Sequence, residues 1–372
     1  MVRRENSALA SPDLQRITPE YKSVLKLVKK KQSDATQPSS CWTHLIPYID
    51  HNGTIQRVSG NDKSSLEAAL HPQSSRPLVV SDAIPSQVIE EWKDFKRLCQ
   101  DEASKTAIVS CNDRAPARHA DMFPGNGGNQ QTIQLRLTEY LDYVQHHLPE
   151  SLDSMDVNKS NTPFYLNGWK AFDDLPSLRN HLPKAFFDHE INQTKTILDA
   201  VNSRLFGSSA PASSTLLPYP SPWCESVVNN LTKLFIGPPG CTTRLHYDAG
   251  EAHGWLAQLM GRKLFILVPP SSTPLLHPLA SEKETQQSPI DPLHPDVKRW
   301  PSYKDAKAMA CILNPGEAIL IPKGWWHYAV SLDRSITLQR NFYHAPTNAG
   351  GLVRMVVNIA AAHITPKKKA NE

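Results

Sequence analysis

No long apolar run occurs in the 372 residues, and with a mean hydropathy of −0.43 nothing in them reads as a membrane-spanning helix. The start, Met1-Val2-Arg3-Arg4-Glu5-Asn6, continues polar and lacks the apolar stretch of a signal peptide, which argues against secretion. Cysteine is scarce: Cys41, Cys99, Cys111, Cys224, Cys241 and Cys311 form no CxxC pair and no zinc spacing. Reduced thiols in a cytoplasmic or nuclear protein are the economical reading, and the sequons at Asn52, Asn192 and Asn230 are then chance matches. Net charge is only +4, with a pI of about 8.6, and the basic clusters Lys29-Lys30-Lys31 and Lys367-Lys368-Lys369 stand near the two ends. A nucleic-acid footprint needs a broader basic stripe with interleaved aromatics, which is missing. No internal repeat is visible. At 40% hydrophobic residues the chain carries enough apolar material for one large domain or two small ones.

What the chain does have is a ligand pattern. In Thr243-Arg244-Leu245-His246-Tyr247-Asp248 the residues alternate as on a strand, so His246 and Asp248 point the same way while Tyr247 points away. Downstream, Ile319-Leu320-Ile321-Pro322-Lys323-Gly324-Trp325-Trp326-His327-Tyr328 reads as two strands around a Pro/Gly turn, so His327 can arrive from a neighbouring strand. Two imidazoles and one carboxylate on one face of an octahedral ion leave three positions open, the arrangement of a non-haem Fe(II) site. The alternative for His246 is a hydrogen-bonded core histidine paired with Asp248. A second HxD, His119-Ala120-Asp121, lies in a polar, Pro-containing stretch and reads as loop.

Residues 12–33 (Leu14, Ile17, Tyr21, Val24, Leu25, Val28) and Gln87 to Cys99 carry helical spacing, and Thr132 to Val144 reads as a strand followed by a helix capped at Thr138. From about residue 160 strands dominate: Asn230 to Ile236, Thr243 to Asp248, Trp255 to Val268, Ala310 to Ile321, His327 to Leu332 and Ser335 to Tyr343. The expected fold is mainly β with a helical N-terminal region, its core a double-stranded β-helix or jelly roll that can hold a metal in its mouth. Three segments follow: 1–159, packing on the core; 160–345, the core; and 346–372, a helix and basic tail. Leu352, Met355, Val356, Ile359, Ala360 and His363 recur at helical period and either cover the barrel or pair with a second copy.

Beyond the ligands, Gln258-Leu259-Met260-Gly261-Arg262-Lys263-Leu264-Phe265-Ile266-Leu267-Val268-Pro269-Pro270 and Cys311-Ile312-Leu313-Asn314-Pro315-Gly316-Glu317-Ala318-Ile319-Leu320-Ile321-Pro322 occur in order with Thr243-x-x-His246-x-Asp248 and Trp326-His327. Together these resemble the JmjC (cupin-like) 2-oxoglutarate oxygenases, over about residues 160 to 345, with most likeness to the small JmjC hydroxylases that act on asparaginyl and arginyl side chains. The resemblance implies Fe(II), 2-oxoglutarate and O₂, with His246, Asp248 and His327 as metal ligands. It implies that Lys263 grips the distal carboxylate of 2-oxoglutarate, that Thr243 and Tyr165 donate hydroxyls to it, and that Asn341 stands nearby on the last core strand. Physical chemistry agrees, because a buried carboxylate needs a fixed cation and donors. Arg340 is a rival to Lys263; if Thr337, Gln339 and Asn341 face inward, alternation turns Arg340 outward. Asn167, in Tyr165-Leu166-Asn167, is a candidate substrate-facing amide. Ala249-Gly250-Glu251-Ala252-His253-Gly254-Trp255 departs from the family in length and lacks its Asn; either His253 or Glu251 replaces that amide or His253 is an exposed loop residue. The Pro/Ser-rich 208–222 insert reads as a loop bordering a substrate groove. The leading reaction is hydroxylation of a protein or peptide side chain reaching past Tyr165 and Trp326, with release of succinate and CO₂. Alternatives are lysine or arginine demethylation, oxidation of a small molecule or tRNA base, and a non-catalytic cupin-like binding module.

Overall fold

Two β-sheets face each other across the residues singled out above. The computed structural model describes residues 46, 48–50, 53–113, 132–148, 150, 164–184, 189–206, 227–279 and 287–364. The helix expected at 12–33, the His119-Ala120-Asp121 loop, the 208–222 insert and both lysine clusters lie outside them. Thirteen strands are found among the described residues: β1 (Gln56–Val58), β2 (Leu78–Val80), β3 (Ile108–Asp113), β4 (Thr132–Arg136), β5 (Phe164–Trp169), β6 (Thr232–Gly237), β7 (Thr242–His246), β8 (His253–Met260), β9 (Lys263–Val268), β10 (Met309–Leu313), β11 (Ala318–Ile321), β12 (Trp326–Ser331) and β13 (Ser335–Phe342). The large sheet runs β1-β2-β11-β8-β13-β6-β5-β3-β4 and the small one β10-β9-β12-β7. β1 to β4 therefore continue the core sheet, and the helices of the same 1–159 segment pack on its outer face.

The stretches read as Trp255 to Val268 and Ala310 to Ile321 are each two strands, and in each case the chain crosses from one sheet to the other. Apolar residues on both sides of a turn hide the break from a reading of hydrophobicity. At the first crossing Gly261 stands at φ +68°, and a Cβ there would lie 2.0 Å from the Arg334 carbonyl oxygen. Only glycine fits such a turn. The Gln87 to Cys99 helix is likewise split: Ser86–Trp92 and Lys96–Gln100 are separated by left-handed backbone at Asp94 and Phe95. The helix expected to be capped at Thr138 begins at Leu137, and the Glu139 carboxylate folds back to accept from the Arg136 N–H at 3.1 Å.

Most apolar side chains of the large sheet point away from the small sheet. Leu234, Ile236, Ile336 and Leu338 pack outward against Leu66, Trp92, Tyr140 and Val144 of the N-terminal helices. Each fully buried large side chain contributes roughly 1.5–3 kcal/mol, so the helical layer is where the stability of this sheet resides. Its inner face is left free to carry polar groups. Tyr140 ties that layer to the site: its hydroxyl donates to the Ile236 carbonyl at 2.6 Å and accepts from the Leu166 N–H at 3.0 Å, where the β5–β6 register shifts. In the small sheet Phe265 and Leu267 face inward and Leu264 and Ile266 outward, under the 3₁₀ segments Pro270–Leu276 and Pro301–Asp305. β7 is an edge strand of that sheet, and its outer side is covered by the chain itself: the Ser288 N–H donates to the Leu245 carbonyl at 2.9 Å and Gln287 bridges His246. The C-terminal helix, Ala345–Ile364, buries Leu352 and Val356 against Ile197 and Leu198 of the helix Thr194–Phe206. No described helix is long and apolar enough to cross a membrane.

Candidate active site

His246 on β7 and His327 on β12 are register partners, and their ring centroids stand 4.2 Å apart. Asp248 follows on extended backbone just past the end of β7, its Oδ1 3.7 Å from His246 Nε2, a charge contact too long for a hydrogen bond. One ligand atom from each of the three lies within 4.8 Å of the others. The backbone fixes the tautomers. His246 Nδ1–H donates to the Arg244 carbonyl at 2.7 Å and His327 Nδ1–H to the Trp325 carbonyl at 3.2 Å, so both Nε2 lone pairs face the same point. Burial, then the neighbouring His246, pushes the His327 imidazole down to about 4, so it is neutral and able to ligate near pH 7. Burial works to raise the Asp248 carboxyl, but His246, His327 and Lys233 together outweigh it and bring it down to about 2. Two imidazole Nε2 atoms and an ionised carboxylate on one face fit a divalent ion of the Fe(II), Mn(II) or Ni(II) kind.

The three ligands open into a cavity of about 240 Å³ between the sheets. The small sheet lines it with Thr243, Lys263, Phe265 and Ala329 besides the histidines, the large sheet with Asn167, Gly168, Lys233, Phe235, Leu256 and Gln339. Lys263 is fully buried. Its ammonium donates to the Tyr165 hydroxyl at 2.9 Å and the Thr337 hydroxyl at 3.0 Å, and sits 5.4 Å from the Phe235 ring centroid. The Thr337 hydroxyl in turn donates to Gln258 Oε1 at 2.9 Å, and the Gln258 amide donates to the Met260 carbonyl at 2.7 Å. This one-directional chain orients the ammonium and engages two of its three N–H groups. No carboxylate among the described residues pairs with Lys263, and burial holds it down to about 7. A buried cation with two hydroxyls beside it and a third N–H to spare fits the distal carboxylate of a keto acid.

Six of the seven residues expected at the site, His246, Asp248, His327, Lys263, Thr243 and Tyr165, are brought together here. Asn341 stands one pair further out: it accepts from the Gln339 amide at 2.6 Å and does not line the cavity. Arg340 faces the other way, donating to the Val228 carbonyl at 2.7 Å and to Thr232 Oγ1. Trp326, expected at the mouth, packs on the outer face of the small sheet against Tyr247 and donates to Thr273 Oγ1 at 2.9 Å, because it alternates with His327. His253 is neither an exposed loop residue nor a site amide. It is buried, accepts from the Lys323 N–H at 2.9 Å and meets Thr347 Oγ1 at 2.9 Å, clamping the turn before β12 to the C-terminal helix. Glu251 works alongside it, paired with Lys323 and Arg354. Gln258 and Lys233 were not singled out from sequence, although each is a polar residue at an inward position of an otherwise apolar strand, and that was the available signal.

Comparison with known proteins adds a family match and three relatives. A family profile described as "Cupin-like domain" matches residues 64–348. HSPB1-associated protein 1 from Homo sapiens is 37% identical over 102 residues, 27% of this chain and 21% of that protein. Lysine-specific demethylase 8 from Xenopus tropicalis is 35% identical over 104 residues, 28% and 23% of the two chains. Arginine-specific demethylase JMJ20 from Arabidopsis thaliana is 21% identical over 299 residues, 79% of this chain and 58% of that protein. The first two alignments thus span under a quarter of each relative's length.

Proposed function

The chain belongs to the cupin-like, JmjC-containing family, whose members are typically 2-oxoglutarate-dependent oxygenases, and from that premise we propose that it hydroxylates a side chain of a protein or peptide. The observation that carries this reading is the opening of His246, Asp248 and His327 into the same cavity as the buried, carboxylate-free Lys263. Bound Fe(II) with 2-oxoglutarate and O₂ supplies oxidation of a C–H bond to C–OH, with succinate and CO₂ as the other products.

The protein's part is placement. His246, Asp248 and His327 would hold the ion, and three protein ligands would leave it able to bind the keto acid and oxygen. Lys263 and the Tyr165 hydroxyl grip the far carboxylate, with Thr243 on the cavity wall beside it. Phe235, Phe265, Leu256 and Ala329 keep water from the reacting centre. At about 240 Å³ the cavity admits the keto acid and one side chain, less than the roughly 300–1,000 Å³ of a site that engulfs a drug-sized ligand. A peptide backbone therefore stays outside it.

Two relatives carry demethylase names, and demethylation begins with the same oxidation, applied to an N-methyl group. Incubation with Fe(II), 2-oxoglutarate and a proteome-derived peptide library, read by mass spectrometry, separates the readings. Gain of one oxygen on an intact side chain is expected, and its absence from a His246→Ala/Asp248→Ala control ties it to the ion. Loss of methyl with formaldehyde release would replace hydroxylation by demethylation, and succinate formed only with a metabolite or nucleoside would remove the protein substrate.

A further inference from the structure

Lys233 is the cavity residue that neither the ion nor the keto acid accounts for. Alternation along β6 turns Leu234 and Ile236 to the apolar layer and Lys233 and Phe235 to the cavity. A charge on the inner face of a sheet is costly unless something answers it, and no hydrogen bond or ion pair joins Lys233 to any described residue. The carboxylate that feels its charge, Asp248, is committed to the ion.

The Lys233 stem lies against the backbone of Gly168, which stands at φ +79°: a Cβ there would be in ordinary van der Waals contact, 3.4 Å from Lys233 Cδ and 3.7 Å from the Phe235 ring. Register puts Lys233 directly opposite Gln339 on β13. Next to the glycine, Asn167 buries its Oδ1 without a partner. A free ammonium, an amide and an unanswered acceptor thus converge on the large-sheet wall, across from the ligands.

We propose that Lys233 selects the substrate by pairing with a carboxylate, carried by the oxidised side chain or by a residue beside it, while Asn167 Oδ1 accepts a substrate N–H. The inference rests on the hydroxylase reading and narrows it: acidic side chains are taken, and the cationic side chains of methylated lysine and arginine are repelled at close range in a half-buried site.

The test uses full-length wild type, Lys233→Met, which keeps the stem over Gly168 without charge, and Lys233→Glu. Each is loaded with Mn(II) and N-oxalylglycine, an inert analogue of the keto acid, and offered peptide pools with a fixed central acidic, amide or methylated basic residue. Wild type retains the acidic pool about tenfold over the basic one, the Met variant loses that preference and the Glu variant reverses it. Equal retention by wild type, retention of no pool, or an unchanged ranking in Lys233→Glu overturns the proposal. So does a loss of 2-oxoglutarate binding beyond about twofold in Lys233→Met, since Lys233 would then serve the co-substrate. The same pools under Fe(II), 2-oxoglutarate and air keep the two readings apart. Oxygen gained on basic peptides sinks the Lys233 assignment alone, and acidic retention without oxygen gain sinks hydroxylation alone.

Discussion

Replacing Lys263 by Met removes the ammonium while a straight side chain keeps its place between Tyr165 and Phe235. Two of its three N–H groups are engaged by Tyr165 and Thr337, which leaves one for a carboxylate. A hydrogen bond with a charged partner contributes roughly 1.5–3 kcal/mol, so 2-oxoglutarate affinity should fall about ten- to a hundredfold while the metal stays bound. A second signature comes from pH. Burial holds Lys263 down to about 7, against 10.5 for a free lysine, and a bound carboxylate favours the charged form. Above that pH the acid must bring a proton with it, so wild-type affinity declines as pH rises, by up to about tenfold per unit, and Lys263→Met shows no such slope. The ligand-free protein obeys the same linkage. Between about 7 and 10.5 the unfolded chain holds a proton on this lysine that the fold does not, so wild type gains stability on Lys263→Met as pH rises through that window. Calorimetric titration of Mn(II)-loaded protein, in buffers of different ionisation enthalpy, reads affinity and proton uptake together. Unchanged affinity in Lys263→Met with a loss in Arg340→Met would refute both the assignment and the strand register behind it.

His246→Ala combined with Asp248→Ala should abolish stoichiometric Mn(II) binding by electron paramagnetic resonance, and retained stoichiometry would place the ion elsewhere. Burial first, then the charges of His344 and Lys323, holds His253 down to about 3. The unfolded chain gains a proton there below 6.5 that the fold refuses, so stability is lost as pH falls from 6.5 toward 3. His253→Gln should flatten that part of a thermal-melt pH profile, and an unaltered slope would assign the acid sensitivity to other groups. Gly261→Ala must take a left-handed conformation costing about 1–2 kcal/mol, besides the contact with Arg334. A lowered unfolding midpoint is expected, and an unchanged one would mean that the crossing relaxes freely.

The ligand set was legible because its logic is local: His246 and Asp248 need only strand periodicity, and the turn before Trp326 and His327 announces a second strand. Alternation also sorted Arg340 from Gln339. The same rule, applied once more, would have turned Trp326 outward along with Tyr247. What local pattern cannot give is sheet membership. Nothing in Trp255 to Val268 says that its halves belong to different sheets, and β1 and β2, three residues each, find their place only through β11. His253 sits in a segment whose composition says loop, yet partners from 70 and 94 residues away bury it. Such contacts are decided by tertiary packing.

An extended chain often binds a protein by adding itself to the free edge of a sheet, taking its affinity from main-chain hydrogen bonds and its register from the strand it joins. Beside the ligands, that edge is β7, and Gln287 and Ser288 already hold its outward-facing groups. A visiting peptide therefore finds no ladder to extend next to His246. It has to lie across the strand ends and dip a single side chain between the sheets, so that recognition there is side chain by side chain, with little that holds a backbone irrespective of its sequence.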